Sequence, residues 1–169
     1  DKIELITIAQ QAGPVSSSAG PKTLADYGFD DAPELDLILI PGGIGTIAEL
    51  KNDALLNFLR QRCPQSRVTM SVCTGSALLA KAGLLDGLAA TSNKMFFELA
   101  RSQGDKVDWQ ESARWVDAGQ YVTSSGVSAG TDMALAVIER VFDAELAEQV
   151  MNYTEYQWHR QADADPFAQ

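Results

Sequence analysis

The sequence predicts an α/β fold in which a mostly parallel sheet is covered by helices on both faces. Short apolar runs closed by Gly or Pro alternate along the chain with segments of helical spacing. The run at 35–40 is almost wholly apolar and ends at Pro41, which is typical of a strand buried in the sheet. The length of 169 residues suits one compact core. We therefore predict a single domain over residues 1–169.

The predicted strands follow from these apolar runs. The run Ile3–Ala9 predicts a buried strand, and the polar stretch Gly13–Gly20 predicts a loop. The run Leu35–Ile40 ends at a Pro-Gly-Gly turn and predicts a central strand. Further strands are predicted over Arg67–Val72, Ala89–Ser92, Ala113–Asp117 and Gln120–Ser124, with the last two joined by a turn at 118–119.

The predicted helices have apolar residues on one side and recognisable ends. Pro64 stops the first helix, Gly83 follows the second as a C-cap, and Asp143 can cap the last. Their predicted ranges are Ala48–Arg62, Thr74–Ala82, Lys94–Gln103, Ala129–Phe142 and Asp143–Tyr153.

Composition and charge exclude several classes of function. The formal net charge of −10 repels nucleic acid and anionic lipid, so we expect neither as a partner. No run approaches the roughly 20 apolar residues of a membrane helix. Two cysteines do not make a disulfide framework, and they favour a cytoplasmic protein. Because His159 is the single histidine, a His-rich metal site is excluded, and we predict no metal and no cofactor.

The segment that predicts chemistry surrounds Cys73. A buried strand ends at this cysteine, a helix starts at once, and Gly75 permits close packing of the backbone. Ligands bind at the carboxyl ends of strands in such sheets, and the positive end of a helix dipole stabilises a thiolate. The tight turn also exposes the side chain and points backbone N–H groups at whatever the sulfur attacks. Alternatively, Cys73 is a small buried hydrophobe, as many free cysteines are. We expect a structural role for Cys63.

Two other loops of small residues can share this cleft. Residues 41–45 (PGGIG) end the central strand, and their glycines would let the backbone approach a bound oxyanion. Residues 124–132 (SSGVSAGTD) open a helix. The alternatives are a tight turn for the first loop and a simple helix entry for the second, with Asp132 as a helix-start residue.

These motifs together resemble the DJ-1/PfpI superfamily. The resemblance is carried by residues 41–43 (PGG), 71–75 (SVCTG), 82–87 (AGLLDG) and 125–130 (SGVSAG), in the right order over nearly the whole chain. Within the superfamily it is closest to the branch that contains isocyanide hydratase and the sensor domains of some AraC-type regulators. It implies a flavodoxin-like three-layer sandwich.

The resemblance also implies roles for particular residues. Cys73 is expected to be the nucleophile, with the Thr74 hydroxyl beside the sulfur. The backbone N–H groups of Gly43 and Thr74 are expected to bind an oxyanion. Further substrate contacts are expected from Ile44, Asn93, Ser125 and Gly126.

The sequence departs from the family pattern at two points. Family members often carry a histidine about 20 residues after the cysteine, and that position is Asn93 here, which cannot act as a general base. By the resemblance, the sequence is also expected to start at the family's second strand and to lack the first. The acidic residue that the family places next to the cysteine is therefore expected upstream of Asp1.

The favoured function is an isocyanide hydratase-like hydro-lyase acting on a small molecule. In this reaction a Cys73 thioimidate forms and water releases an N-substituted formamide, with no strict need for a histidine. A glyoxalase- or deglycase-like activity is an alternative that needs a histidine. A non-catalytic redox or ligand sensor using Cys73 is another. Aromatic residues in the C-terminal tail predict a homodimer, namely Tyr153, Tyr156, Trp158 and Phe167.

Overall fold

The computed structural model describes residues 3–17 and 20–168. A four-stranded sheet forms its centre, with the strand order β3-β4-β8-β7. The first three of these strands are parallel and β7 is antiparallel to β8, which confirms the mostly parallel sheet. The strands are β1 Gly13–Ser16, β2 Lys22–Ala25, β3 Leu37–Ile40, β4 Val68–Val72, β5 Ala89–Ala90, β6 Asp108–Trp109, β7 Trp115–Ala118 and β8 Tyr121–Ser124.

Helices cover both faces of this sheet. One apolar cluster joins Ile38 and Ile40 to buried residues of α2 and α3, including Leu59 and Leu79. A second cluster packs Met133 and other residues of α5 against the opposite face. The flavodoxin-like layering is therefore confirmed. The helices are α1 Thr46–Glu49, α2 Asp53–Arg62, α3 Gly75–Lys81, α4 Phe97–Arg101, α5 Val127–Val141 and α6 Ala144–Tyr153.

The predicted strand Ile3–Ala9 is wrong. This segment makes a single bridge, between Ile8 and Tyr27, and the side chains of Ile3 and Leu5 are 65% and 89% exposed. The carboxylate of Asp26 accepts hydrogen bonds from the backbone N–H and the hydroxyl of Thr7, both at 2.7 Å. The Thr7 N–H is thereby withheld from backbone pairing, and among the described residues the backbone bonds between this segment and 26–27 join only Thr7 and Ala9 to Asp26 and Tyr27.

The predicted loop Gly13–Gly20 is partly wrong as well. Its first half is β1, which pairs with β2 in antiparallel register from Gly13↔Ala25 to Ser16↔Lys22. Pro14 is tolerated because a two-stranded hairpin has free edges. Of the rest, Ser18 and Ala19 lie outside the described residues. The short strand β6, which pairs with β5, was not predicted.

The predicted helices are present, with shorter or shifted ends. The range Ala48–Arg62 divides into α1 and α2, because the Asn52 side chain accepts the Leu55 N–H and caps a new helix. The range Lys94–Gln103 contains only α4. Gly83 follows α3 with φ +78°, and the Asp143 side chain accepts the Leu146 N–H at 2.7 Å, so both predicted caps are confirmed.

Among the helices within residues 3–17 and 20–168, none combines the length and apolar character needed to cross a membrane.

Candidate active site

Cys73 lies between the end of β4 and the start of α3. Its φ of +59° is in the left-handed region, which is unusual for a residue with a side chain and marks a strained turn. Its N–H donates to the Ser124 carbonyl at 3.2 Å, and its own carbonyl accepts the hydroxyls of Ser76 and Ser92, each at 3.2 Å. The predicted strand–helix junction and its backbone strain are confirmed.

Two glycines allow the chain to pack tightly around this turn. A Cβ on Gly42 would lie 2.6 Å from the backbone nitrogen of Thr74, and a Cβ on Gly75 would lie 2.5 Å from the carbonyl oxygen of Ile40. Both contacts are with backbone, which cannot move aside cheaply. The loop after β3 and the turn after β4 are therefore held against each other only because these positions lack side chains.

A small open pocket of about 100 Å³ lies over the turn. Of the residues predicted to form the site, the structure brings Cys73, Thr74, Gly43 and Ile44 together in its wall. Three lining residues were not predicted from the sequence, and all three are apolar: Ile47, Phe96 and Leu99. No short motif marks them, because α1 and the start of α4 meet at the pocket only through the tertiary fold.

The Gly43 N–H does not point to an incoming oxyanion as predicted. It donates to the Thr74 hydroxyl oxygen at 2.9 Å, and that oxygen also lies 2.9 Å from the Thr46 hydroxyl. The Thr74 hydroxyl thus contacts the loop after β3 and the start of α1, and its expected position beside the sulfur stays a prediction. Within the described parts of the chain, the N–H groups of Ile44 and Thr74 have no hydrogen-bond acceptor. These two groups are the candidate oxyanion donors.

Asn93, Ser125 and Gly126 are not among the residues that line the pocket. The Asn93 side-chain oxygen accepts the Phe96 N–H at 3.2 Å, and its amide nitrogen lies 3.9 Å from where a Cβ on Gly126 would be. The Ser125 hydroxyl donates to the Asp165 carboxylate. Their predicted contacts with substrate stay predictions.

A buried ionic cluster lies next to Ser125 and was missed by the sequence reasoning. Arg114 and Asp132 pair at 2.6 Å, and Arg114 lies 3.8 Å from Asp165. Asp132 also accepts the backbone N–H of His159 at 2.9 Å, while the His159 side chain is exposed. The expected helix-start role of Asp132 is therefore wrong, since α5 begins at Val127 and the Asp132 carboxylate is the buried partner of Arg114. No sequence signal could have shown pairs so far apart.

The two cysteines differ in how deeply their side chains are buried. Cys63 is fully buried, and burial raises the pKa of its thiol to about 11, which agrees with a structural role. Cys73 is partly exposed in the wall of the pocket.

We expect iodoacetamide to alkylate Cys73 well before Cys63 in the native protein. Cys63 stays a neutral thiol until the pH approaches about 11, and reagent cannot reach it without local opening. Peptide mass spectrometry after timed labelling at pH 7 measures both sites. In urea the two should label at similar rates, and similar rates in the native protein would contradict the prediction.

Comparison with known proteins places the chain in one group. The model of the DJ-1/PfpI family matches residues 1–140. Isonitrile hydratase of Pseudomonas putida is 35% identical over 154 residues, which cover 91% of this chain and 64% of that protein. The HTH-type transcriptional regulator GbdR of Pseudomonas aeruginosa is 31% identical over 144 residues, which cover 85% of this chain and 39% of the regulator.

Solved structures agree with this grouping. The crystal structure of a THiJ/PfpI family protein from Pseudomonas syringae superimposes with a TM-score of 0.78 at 30% identity, covering 96% of this chain and 64% of that one. The chain thus spans less than two thirds of the length of each of these relatives. Because the family model covers most of the sequence and the fold agrees, the chain belongs to the DJ-1/PfpI family.

Proposed function

We propose that this chain carries the nucleophile of an isocyanide hydratase-like enzyme, which converts a small isocyanide and water into an N-substituted formamide. The observation that carries the proposal is the position of Cys73 on a strained strand–helix turn in the wall of an apolar pocket. The likeness to isonitrile hydratase supports it. An uncharged, apolar reactant suits a pocket whose wall includes Ile44, Ile47, Phe96 and Leu99.

The chemistry balances with one cysteine and one water. The Cys73 thiolate forms a bond to the terminal carbon of the isocyanide, and that carbon takes up one proton to give a thioimidate. Water then adds to the same carbon and gives up both of its protons: one goes to the nitrogen, and the other replaces in solvent the proton that the carbon took up. The carbon–sulfur bond breaks. The thiolate is restored and the formamide leaves. The N–H groups of Ile44 and Thr74 are suited to stabilise the negative charge that develops on the added oxygen.

The test is to incubate the full-length protein with an alkyl isocyanide and to quantify the formamide by NMR. We expect product to accumulate with many turnovers per protein molecule. Intact mass spectrometry during turnover is expected to show an adduct of one isocyanide on Cys73. Absence of both formamide and adduct would contradict the proposal.

A sensor function is the second candidate, because the HTH-type regulator is similar over 85% of this chain. In that case Cys73 would be oxidised reversibly, or the pocket would bind a ligand without turnover. Stoichiometric oxidation of Cys73 by peroxide, without any hydration of isocyanide, would favour the sensor function.

A glyoxalase- or deglycase-like activity is less favoured, because Asn93 stands at the position of the family histidine and the His159 side chain is exposed.

We also propose that the protein forms a homodimer. In the tail, Tyr153 and Phe167 are largely exposed, which leaves apolar surface that a second copy would cover. Multi-angle light scattering at micromolar concentration should give twice the chain mass of 18.2 kDa. A single-chain mass would refute the dimer, and Phe167→Ser should lower the dimer fraction if this tail forms the interface.

A further inference from the structure

The C-terminal segment 155–168 has no regular structure, yet it carries a buried carboxylate. Asp165 is 7% exposed, and its backbone N–H donates to the Ser112 carbonyl at 2.8 Å. Its carboxylate accepts the Phe167 N–H at 3.0 Å and the Ser125 hydroxyl. A carboxylate buried on a loop is costly unless its hydrogen bonds and charge are matched, so these partners need an explanation.

Positive charge close to Asp165 matches its negative charge. The guanidinium of Arg114 lies 3.8 Å away. Lys94 donates from its ammonium to the Ala113 carbonyl at 2.6 Å, and although burial lowers the pKa of Lys94, the charges of Asp165 and Glu111 oppose that shift. The Ser125 hydroxyl thus donates to a carboxyl group that lies beside the Arg114 guanidinium, and such surroundings favour a strong hydrogen bond.

Ser125 connects this carboxylate to the cysteine. It is 1% exposed, and its N–H donates to the Arg114 carbonyl at 2.9 Å. The residue before it, Ser124, accepts the Cys73 N–H on its carbonyl at 3.2 Å. The Ser124 hydroxyl donates to the Ser71 carbonyl at 3.2 Å. The pair Ser124–Ser125 is therefore held on one side by the strand that ends at Cys73 and on the other by Asp165.

We propose that Asp165 is a positioning residue for Cys73. By holding Ser125, it fixes the Ser124 carbonyl that receives the Cys73 N–H, and so keeps the cysteine in its left-handed conformation at the pocket. Strained backbone conformations persist only where several surrounding contacts impose them. The tail of the chain thereby sets the reactivity of the thiol, whichever reaction Cys73 performs.

The first test compares Asp165→Asn with Asp163→Asn in the full-length protein. Asparagine keeps the size of the side chain and removes its charge, so the rate constant for alkylation of Cys73 by iodoacetamide should fall by about fivefold. Asp163 is exposed two residues away, and its variant should keep the original rate. An unchanged rate in Asp165→Asn would overturn the proposal.

The second test asks whether the effect passes through Ser125. Ser125→Ala should lower the alkylation rate to a similar extent, and the double variant with Asp165→Asn should lower it no further, because both changes break one connection. Independent, additive losses would contradict the connection. Ser125→Ala also keeps the proposal testable if Asp165→Asn fails to fold.

A third variant separates positioning from general loss of stability. Val137 is buried on α5 in the second apolar cluster, and its apolar side chain takes part in none of the hydrogen bonds above. Val137→Ala should therefore lower the melting temperature and leave the Cys73 rate unchanged well below it. If Val137→Ala slows alkylation as much as Asp165→Asn does, the role of Asp165 is merely structural and the proposal fails.

Discussion

Replacing Cys73 with serine is expected to abolish formamide formation while leaving the fold intact. A serine hydroxyl at pH 7 is a far poorer nucleophile than a thiolate when no base is adjacent, so the rate should fall on the order of 10³-fold or more. The change is nearly isosteric at the turn. NMR quantification of formamide, together with circular dichroism and a thermal melt, measures activity and fold on the same samples.

Cys63→Ser is the matched control, because it changes the other cysteine away from the pocket. It should keep turnover while costing some stability, since Cys63 is fully buried. Asn93→Ala should also cost little activity, because the proposed reaction needs no base at that position. Retained turnover in Cys73→Ser would refute the covalent mechanism through Cys73. Loss of turnover in Cys63→Ser but not in Cys73→Ser would show that Cys63 is the nucleophile.

Replacing Arg114 with methionine is expected to lower the free energy of unfolding by about 3–5 kcal/mol, because a buried charge loses its partner. Arg114 is 5% exposed and Asp132 is fully buried. Without the guanidinium, Asp132 keeps hydrogen bonds from the Tyr156 hydroxyl and the His159 N–H but loses its ion-pair partner. Urea denaturation followed by circular dichroism measures the loss.

Arg160→Met is the control for this prediction. Arg160 also pairs with two carboxylates, those of Glu139 and Glu148, but its side chain and theirs are well exposed. Such surface pairs contribute about 0–1 kcal/mol, so the variant should be nearly as stable as the original chain. Adding Asp132→Asn to Arg114→Met should recover part of the loss. Equal losses in the two arginine variants would show that burial does not set the effect.

Local sequence was enough to predict the sheet and the turn that carries the cysteine. The strands β3, β4 and β8 are short apolar or β-branched runs, and each is followed by small residues at which a parallel strand must stop. The turn at Cys73 follows from the same pattern, because only Cys73 and Thr74 separate the strand from the helix and leave no room for a longer connection. The strand ends and the turn depend on residues that are neighbours in the chain, so the sequence alone predicts them.

Contacts between distant residues decided the rest. The segment Ile3–Ala9 has the composition of a strand, yet the Asp26 carboxylate takes the Thr7 N–H that a sheet would need. The direction of the Gly43 N–H depends on Thr74, 31 positions later, and the charge balance around Arg114 depends on Asp132 and Asp165. Hydrogen-bond direction and charge pairing are set by a few ångströms between groups that only folding brings together, and residue type and spacing do not encode those distances.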